Sequence, residues 1–139
     1  MEIAQEFSII STAQQVRDLL EKAEGWIAEA KVPQRVADDI AVALLEAVNN
    51  AIIHGNQRSY EKQVTVRLMI ADESVELHVW DEGKGFDPSS LEDPCRPENI
   101  YQHNGRGLFF IQKLMDDVEI HSGNEGSEII MKKYWKQYS

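Results

Sequence analysis

The sequence predicts an α/β sandwich: a mixed, mostly antiparallel sheet covered on one face by helices. Three observations carry that expectation. Two segments between residues 12 and 55 repeat apolar residues at helical spacing, and residues 64–81 alternate apolar and polar around a central turn. Further short strand patterns close the chain. Helices and strands mix, but the hairpins exclude strict βαβ alternation, which leaves helices on one face of the sheet.

Taken in order, Glu6 to Ile10 is a short strand candidate. Ser11 and Thr12 offer helix N-caps, with Gln14 or Gln15 three residues on as the capping-box partner. Val16, Leu19, Leu20, Ala23, Ile27 and Ala30 then form one helical face. Pro33 suits the first turn of a second helix, which carries Val36, Ile40, Ala43, Leu44, Ala47 and Ala51 on one side. His54 and Gly55 form its stop signal. The period then drops to two. Val64, Val66, Leu68 and Ile70 alternate with polar neighbours, Ala71 to Ser74 make a turn, and Val75, Leu77 and Val79 alternate again up to Asp81. From Gly83 to Gly107 the pattern dissolves into glycine, proline and polar residues, a length of loop that is often functional. Leu108 to Met115 reads as a helix, with Val118 to His121 and Ser127 to Tyr134 as the last strands.

The 139 residues suit one domain with its own core, and 42% hydrophobic with 27% charged residues is a globular composition. No apolar run approaches the length that crosses a bilayer, and no basic-then-apolar signal opens the chain. The lone Cys95 leaves no internal disulfide, which fits a reducing cytoplasm. A formal charge of −10 argues against nucleic acid as the main partner and suits a basic protein partner, or solubility alone.

Three clusters could carry chemistry. Glu46 and Asn50 stand four apart on an otherwise apolar helix, so a carboxylate and an amide share one face. An amide oxygen can hold magnesium together with nucleotide phosphates, and a carboxylate one turn away can orient a hydroxyl and take its proton. The same residues also fit a plain polar stripe, Glu46-Asn49-Asn50. The second cluster, Asp81-Glu82-Gly83-Lys84-Gly85-Phe86-Asp87, directly follows a strand. Its aspartate could accept from an exocyclic amine such as adenine's, and its glycines let the backbone approach a ligand. It also fits an ordinary Asp-x-Gly turn. The third, Asn104-Gly105-Arg106-Gly107-Leu108, opens a helix whose free amides suit an anion, with Arg106 adding a charge-assisted contact to phosphate. A Walker-type loop and the protein-kinase His-Arg-Asp signature are absent, and the four histidines show no metal-ligand spacing with Cys95. The runs Asp38-Asp39 and Asp116-Asp117 read as solvated helix faces.

In order and spacing, the three clusters resemble the motifs of the GHKL ATPase superfamily, from about Pro33 to the C-terminus. Glu46-x-x-x-Asn50 is similar to its N box, Asp81-x-Gly83-x-Gly85-Phe86 to its first glycine box, and Gly105-x-Gly107-Leu108 to its second. Within the superfamily, Glu46-Ala47-Val48-Asn49-Asn50-Ala51-Ile52-Ile53-His54-Gly55 most resembles the N box of bacterial anti-sigma-factor serine/threonine kinases. Histidine kinases usually carry Asn where Glu46 stands and Lys where Ile53 stands.

The resemblance implies a Bergerat-type ATP-binding fold, one histidine-kinase-like ATPase domain over 1–139, and an ATP lid over about 87–104. It implies ATP and magnesium as cofactors, with Glu46 as catalytic base and Asn50 as magnesium ligand. Asp81 would read adenine with Gly83 and Gly85 giving room, and Gly105 to Leu108 would cradle the phosphates. The implied activity moves the γ-phosphate of ATP to a serine or threonine of an anti-sigma antagonist. The implied partners are that antagonist and a sigma factor, for a cytoplasmic homodimer that regulates transcription without touching nucleic acid or membrane. The alternative is a nucleotide-gated protein-binding regulator with little kinase activity.

Overall fold

A computed structural model describes residues 3–9, 12–56, 61–83, 107–123 and 126–136. The strands are β1 (Ile3–Ile9), β2 (Val64–Ile70), β3 (Ser74–Asp81), β4 (Asp117–Gly123) and β5 (Gly126–Tyr134), and the helices are α1 (Ala13–Glu29), α2 (Gln34–Asn50) and α3 (Gly107–Leu114). A five-residue π turn, Ala51–Gly55, extends α2. The strands form one sheet in the order β1-β2-β3-β5-β4. Each of its four pairings is antiparallel, so among the described residues no parallel pair makes the sheet mixed.

Local chemistry accounts for the elements. Thr12 caps α1, its hydroxyl accepting the Gln15 N–H at 3.3 Å. The helix closes at Lys31, whose φ of 58° reverses the chain, with Val32 N–H bonded back to Ile27 O. Pro33 sits one residue ahead of the expected helical first turn: at ψ 138° it is still extended, and its carbonyl receives the Val36 and Ala37 N–H groups at 2.9 Å. The β2–β3 turn closes with Ala71 N–H donating to Ser74 O at 2.9 Å.

Alternation sorts the sheet into two faces. Val64, Val66, Leu68, Ile70, Val75, Leu77, Val79 and Met131 are buried in a single cluster with residues of all the helices. Those include Leu19, Ala23 and Ile27 of α1, Ile40, Ala43, Leu44, Ala47 and Val48 of α2, and Ile111 of α3. Burying each large aliphatic side chain contributes about 1.5–3 kcal/mol before the cost of ordering it. The other face carries Thr65, Arg67, Met69, Glu76, His78, Trp80, Glu128, Ile130 and Lys132.

The acidic runs differ from the expected solvated helix faces. Asp39 pairs with Lys133 of β5 at 3.3 Å, and Asp116 lies between α3 and β4, where its carboxylate accepts the Tyr134 N–H at 2.7 Å. Long-range pairing to β5, which helical spacing does not encode, decides both.

Candidate nucleotide site

Glu46 and Asn50 lie in the second half of α2, one turn apart and half-buried, directly beside the fully buried Ala47 and Val48. Asn49 is half-buried as well, so the stripe is not simply solvated. Among the described residues, no hydrogen bond or ion pair engages the side chain of Glu46 or Asn50. A partly desolvated carboxylate and amide on one helix face are suited to an external ligand. The amide oxygen of Asn50 is a hard donor of the kind magnesium takes, so the residue fits that ion.

The helix does not stop at His54-Gly55 in the ordinary way. Ala51–Gly55 widen into the π turn, sealed by Asn56 N–H donating to Ala51 O at 2.8 Å, five residues back. Asn56 itself is fully buried. Its Nδ2 donates to Gln63 O at 3.0 Å, and its Oδ1 accepts the Glu82 N–H at 2.8 Å. The end of α2 is therefore fixed to the end of β3.

At that end of β3, Asp81 turns its carboxylate back on the chain and accepts the Gly83 N–H at 2.9 Å. Ser127 of the paired strand β5 stands opposite it in register, and its backbone N–H faces the same carboxylate electrostatically. Burial pushes its pKa above the ordinary carboxylate value, and the two N–H donors oppose the rise. Gly83 is buried. On β5, Gly126 has φ 153°, a conformation that favours glycine, and lies against the Asp81 carbonyl. A shallow cavity of about 300 Å³ opens here, lined by Trp80, Asp81, His121, Gly126 and Ser127 among others. It includes no residue of α2.

The third cluster is described only from its last glycine. Gly107 begins α3, and Leu108 is buried beneath its first turn. The first turn carries no acidic side chain and the last carries Lys113, so the helix's own side chains leave its positive N-terminal end unopposed. The helix packs against α2, and its last carbonyl, Leu114 O, accepts from Lys133 Nζ, the same ammonium that pairs with Asp39 of α2. Gly85, Gly105, Arg106 and the lid expected at 87–104 lie outside the described residues, as does Cys95.

Three residues that shape this region were missed from the sequence. Asn56 stands one position past the Glu46–Gly55 motif, and Gly126 and Ser127 stand at a strand start. The Gly-Ser pair could have signalled a close approach, but its partner Asp81 is set by strand register, 46 positions away for Ser127.

Residues 9–133 match the family described as histidine kinase-like ATPase domain. The serine-protein kinase RsbW of Listeria monocytogenes is 28% identical over 116 residues, covering 79% of this chain and 73% of that protein. The anti-sigma F factor of Clostridium perfringens is 35% identical over 100 residues, covering 68% and 70%. Among solved structures, the RsbU and RsbW domains of Rv1364c from Mycobacterium tuberculosis superpose with a TM-score of 0.70 at 20% identity, over 95% of this chain and 32% of that longer one. The catalytic domain of histidine kinase ThkA gives 0.54 at 16% identity, over 95% and 97%. At those identities the two structures speak for the fold, the expected α/β sandwich. Among the described residues no helix is long and apolar enough to cross a membrane. The chain belongs to the histidine kinase-like ATPase family, among the relatives of the bacterial serine-protein kinases and anti-sigma factors.

Proposed function

We propose that this protein is an ATP-dependent serine/threonine kinase and anti-sigma factor of a partner-switching pathway, and that it phosphorylates a serine or threonine of an anti-sigma antagonist. The observation that carries this reading is the half-buried pair Glu46 and Asn50, without a side-chain partner among the described residues, at the end of α2 that Asn56 ties to the Asp81 turn. In this reading Asp81 accepts from the adenine amine, and Gly83 with Gly85 leaves room for the ring. Gly105, Arg106, Gly107 and Leu108 hold the phosphates at the start of α3, with residues 87–104 as the lid of one domain spanning 1–139.

Asn50 would hold magnesium, which on binding neutralises charge developing on the phosphate oxygens. Glu46 orients the acceptor hydroxyl and takes its proton as that oxygen bonds to the γ-phosphorus. The bond from phosphorus to the bridging oxygen breaks, and ADP leaves with the electron pair. The charge of −10 supports a basic partner surface such as a sigma factor could offer. The proposal includes a homodimer acting in the cytoplasm.

Incubation with γ-labelled ATP and an antagonist domain tests the activity. Label on a serine or threonine of the antagonist is the expected result. Bound ATP with no labelled side chain would replace the kinase reading with a nucleotide-gated binding protein.

A further inference from the structure

The one polar side chain fully buried among the described residues is Asn56, and no motif in the sequence includes it. We propose that Asn56 is a positioning residue that couples the two walls of the nucleotide site, the α2 wall bearing Glu46 and Asn50 and the β3 wall bearing Asp81. The inference rests on reading that site as one for ATP.

Both ends of the Asn56 carboxamide are committed. Nδ2 donates to Gln63 O at 3.0 Å and Oδ1 accepts from Glu82 N–H at 2.8 Å, so the side chain cannot rotate without breaking a buried bond. Its own N–H closes the π turn that directly follows Asn50. Glu82 lies one residue past the last rung of the β2–β3 ladder, Val64 with Asp81, so Asn56 replaces the strand partner that the Glu82 N–H has lost. Glu82 is also the middle residue of the turn in which the Gly83 N–H orients the Asp81 carboxylate. A shift of the π turn therefore moves the Glu82 peptide, and with it the group proposed to read adenine. Single π turns recur at functional sites, and this one joins the proposed metal ligand to the proposed base reader.

An amide that served only the fold would change stability and leave base selectivity alone. The test is titration of ATP and GTP into the wild type, Asn56→Ala and Asp81→Ala, with the folded fraction of each fixed by circular dichroism. Folded Asn56→Ala is expected to lose about tenfold or more of the preference for ATP over GTP, in parallel with Asp81→Ala. An unchanged preference in folded Asn56→Ala, with the preference lost in Asp81→Ala, overturns the coupling and leaves the site intact. A wild type that binds neither nucleotide, or an Asp81→Ala variant of unchanged preference, overturns the reading of the site and the coupling with it. Should Asn56→Ala fail to fold, amide exchange on the wild type decides. Slower exchange of the Glu82 N–H on adding ATP supports the coupling, and an unchanged rate overturns it.

Discussion

Gly126 lies so close to the carbonyl of Asp81 that a Cβ on it would fall 2.1 Å from the oxygen. Its φ of 153° is itself strained for any other residue. Strand β5 can thus pair with Asp81 through Ser127 only because position 126 has no side chain. The aspartate proposed to read adenine is set by the Gly83 N–H on one side and lies against Gly126 on the other.

Gly126→Ala should therefore destabilise the fold by about 1–3 kcal/mol, the usual cost of a strained backbone position, and weaken ATP binding as Asp81 is displaced. Urea unfolding and nucleotide titration measure the two effects. Wild-type values for both would mean that the Asp81 turn yields freely to the added methyl.

Asn50→Ala should weaken ATP binding about tenfold, equivalent to about 1.4 kcal/mol, and only when magnesium is present. Titrations with and without excess chelator separate the cases. An equal loss in both would assign Asn50 a role in packing instead of ion binding.

The sheet face away from the helices holds a titratable clamp. His78 Nδ1 lies 2.9 Å from Glu128 Oε2 and Nε2 lies 2.7 Å from Glu76 Oε2, with Lys132 Nζ 3.1 Å from Glu76 Oε1. A neutral imidazole has a single N–H, so only the charged ring can donate to both carboxylates. Burial works against that charge, but the two glutamates outweigh it and raise the His78 pKa above 6.5. The His78 bond, ahead of Lys132, holds Glu76 below 4.5 against burial. Below 6.5 the ring is charged both folded and unfolded, so the His78 contribution is complete; it is lost as pH rises through the raised folded value. The Glu76 contribution is complete above 4.5 and is lost as pH falls through its depressed folded value.

His78→Gln should accordingly cost about 1 kcal/mol near pH 6, as expected for a partly screened ion pair, and the gap to wild type should close as the pH rises through the raised folded value. Unfolding curves across that range give the gap. A constant difference would show that the ring is not charged at pH 6.

Periodicity made the helix and strand types legible, because the buried residues of α1, α2, β2 and β3 repeat at 3.6 and 2.0 positions. It stayed silent on the π turn at Ala51–Gly55, since a widened turn adds no change of composition. The hairpins made a mostly antiparallel sheet legible, but strand order was not: β3-β5-β4 depends on long-range register, and so do Asp39 with Lys133 and Asp81 with Ser127. At the site, Glu46, Asn50 and Asp81 stood out because polar groups interrupted an apolar pattern or followed a strand. Asn56, Gly126 and Ser127 act through backbone bonds and close approach, which leave no such mark.

The central claim is that Glu46 acts as a base at an ATP site, and Glu46→Gln tests it most directly. The amide keeps the shape of the side chain and removes its capacity to take a proton. A single-turnover reaction with γ-labelled ATP and the antagonist should show unchanged ATP occupancy and transfer slowed by about 10²–10⁴-fold. Transfer at the wild-type rate, or equal loss of occupancy and transfer, would contradict the account.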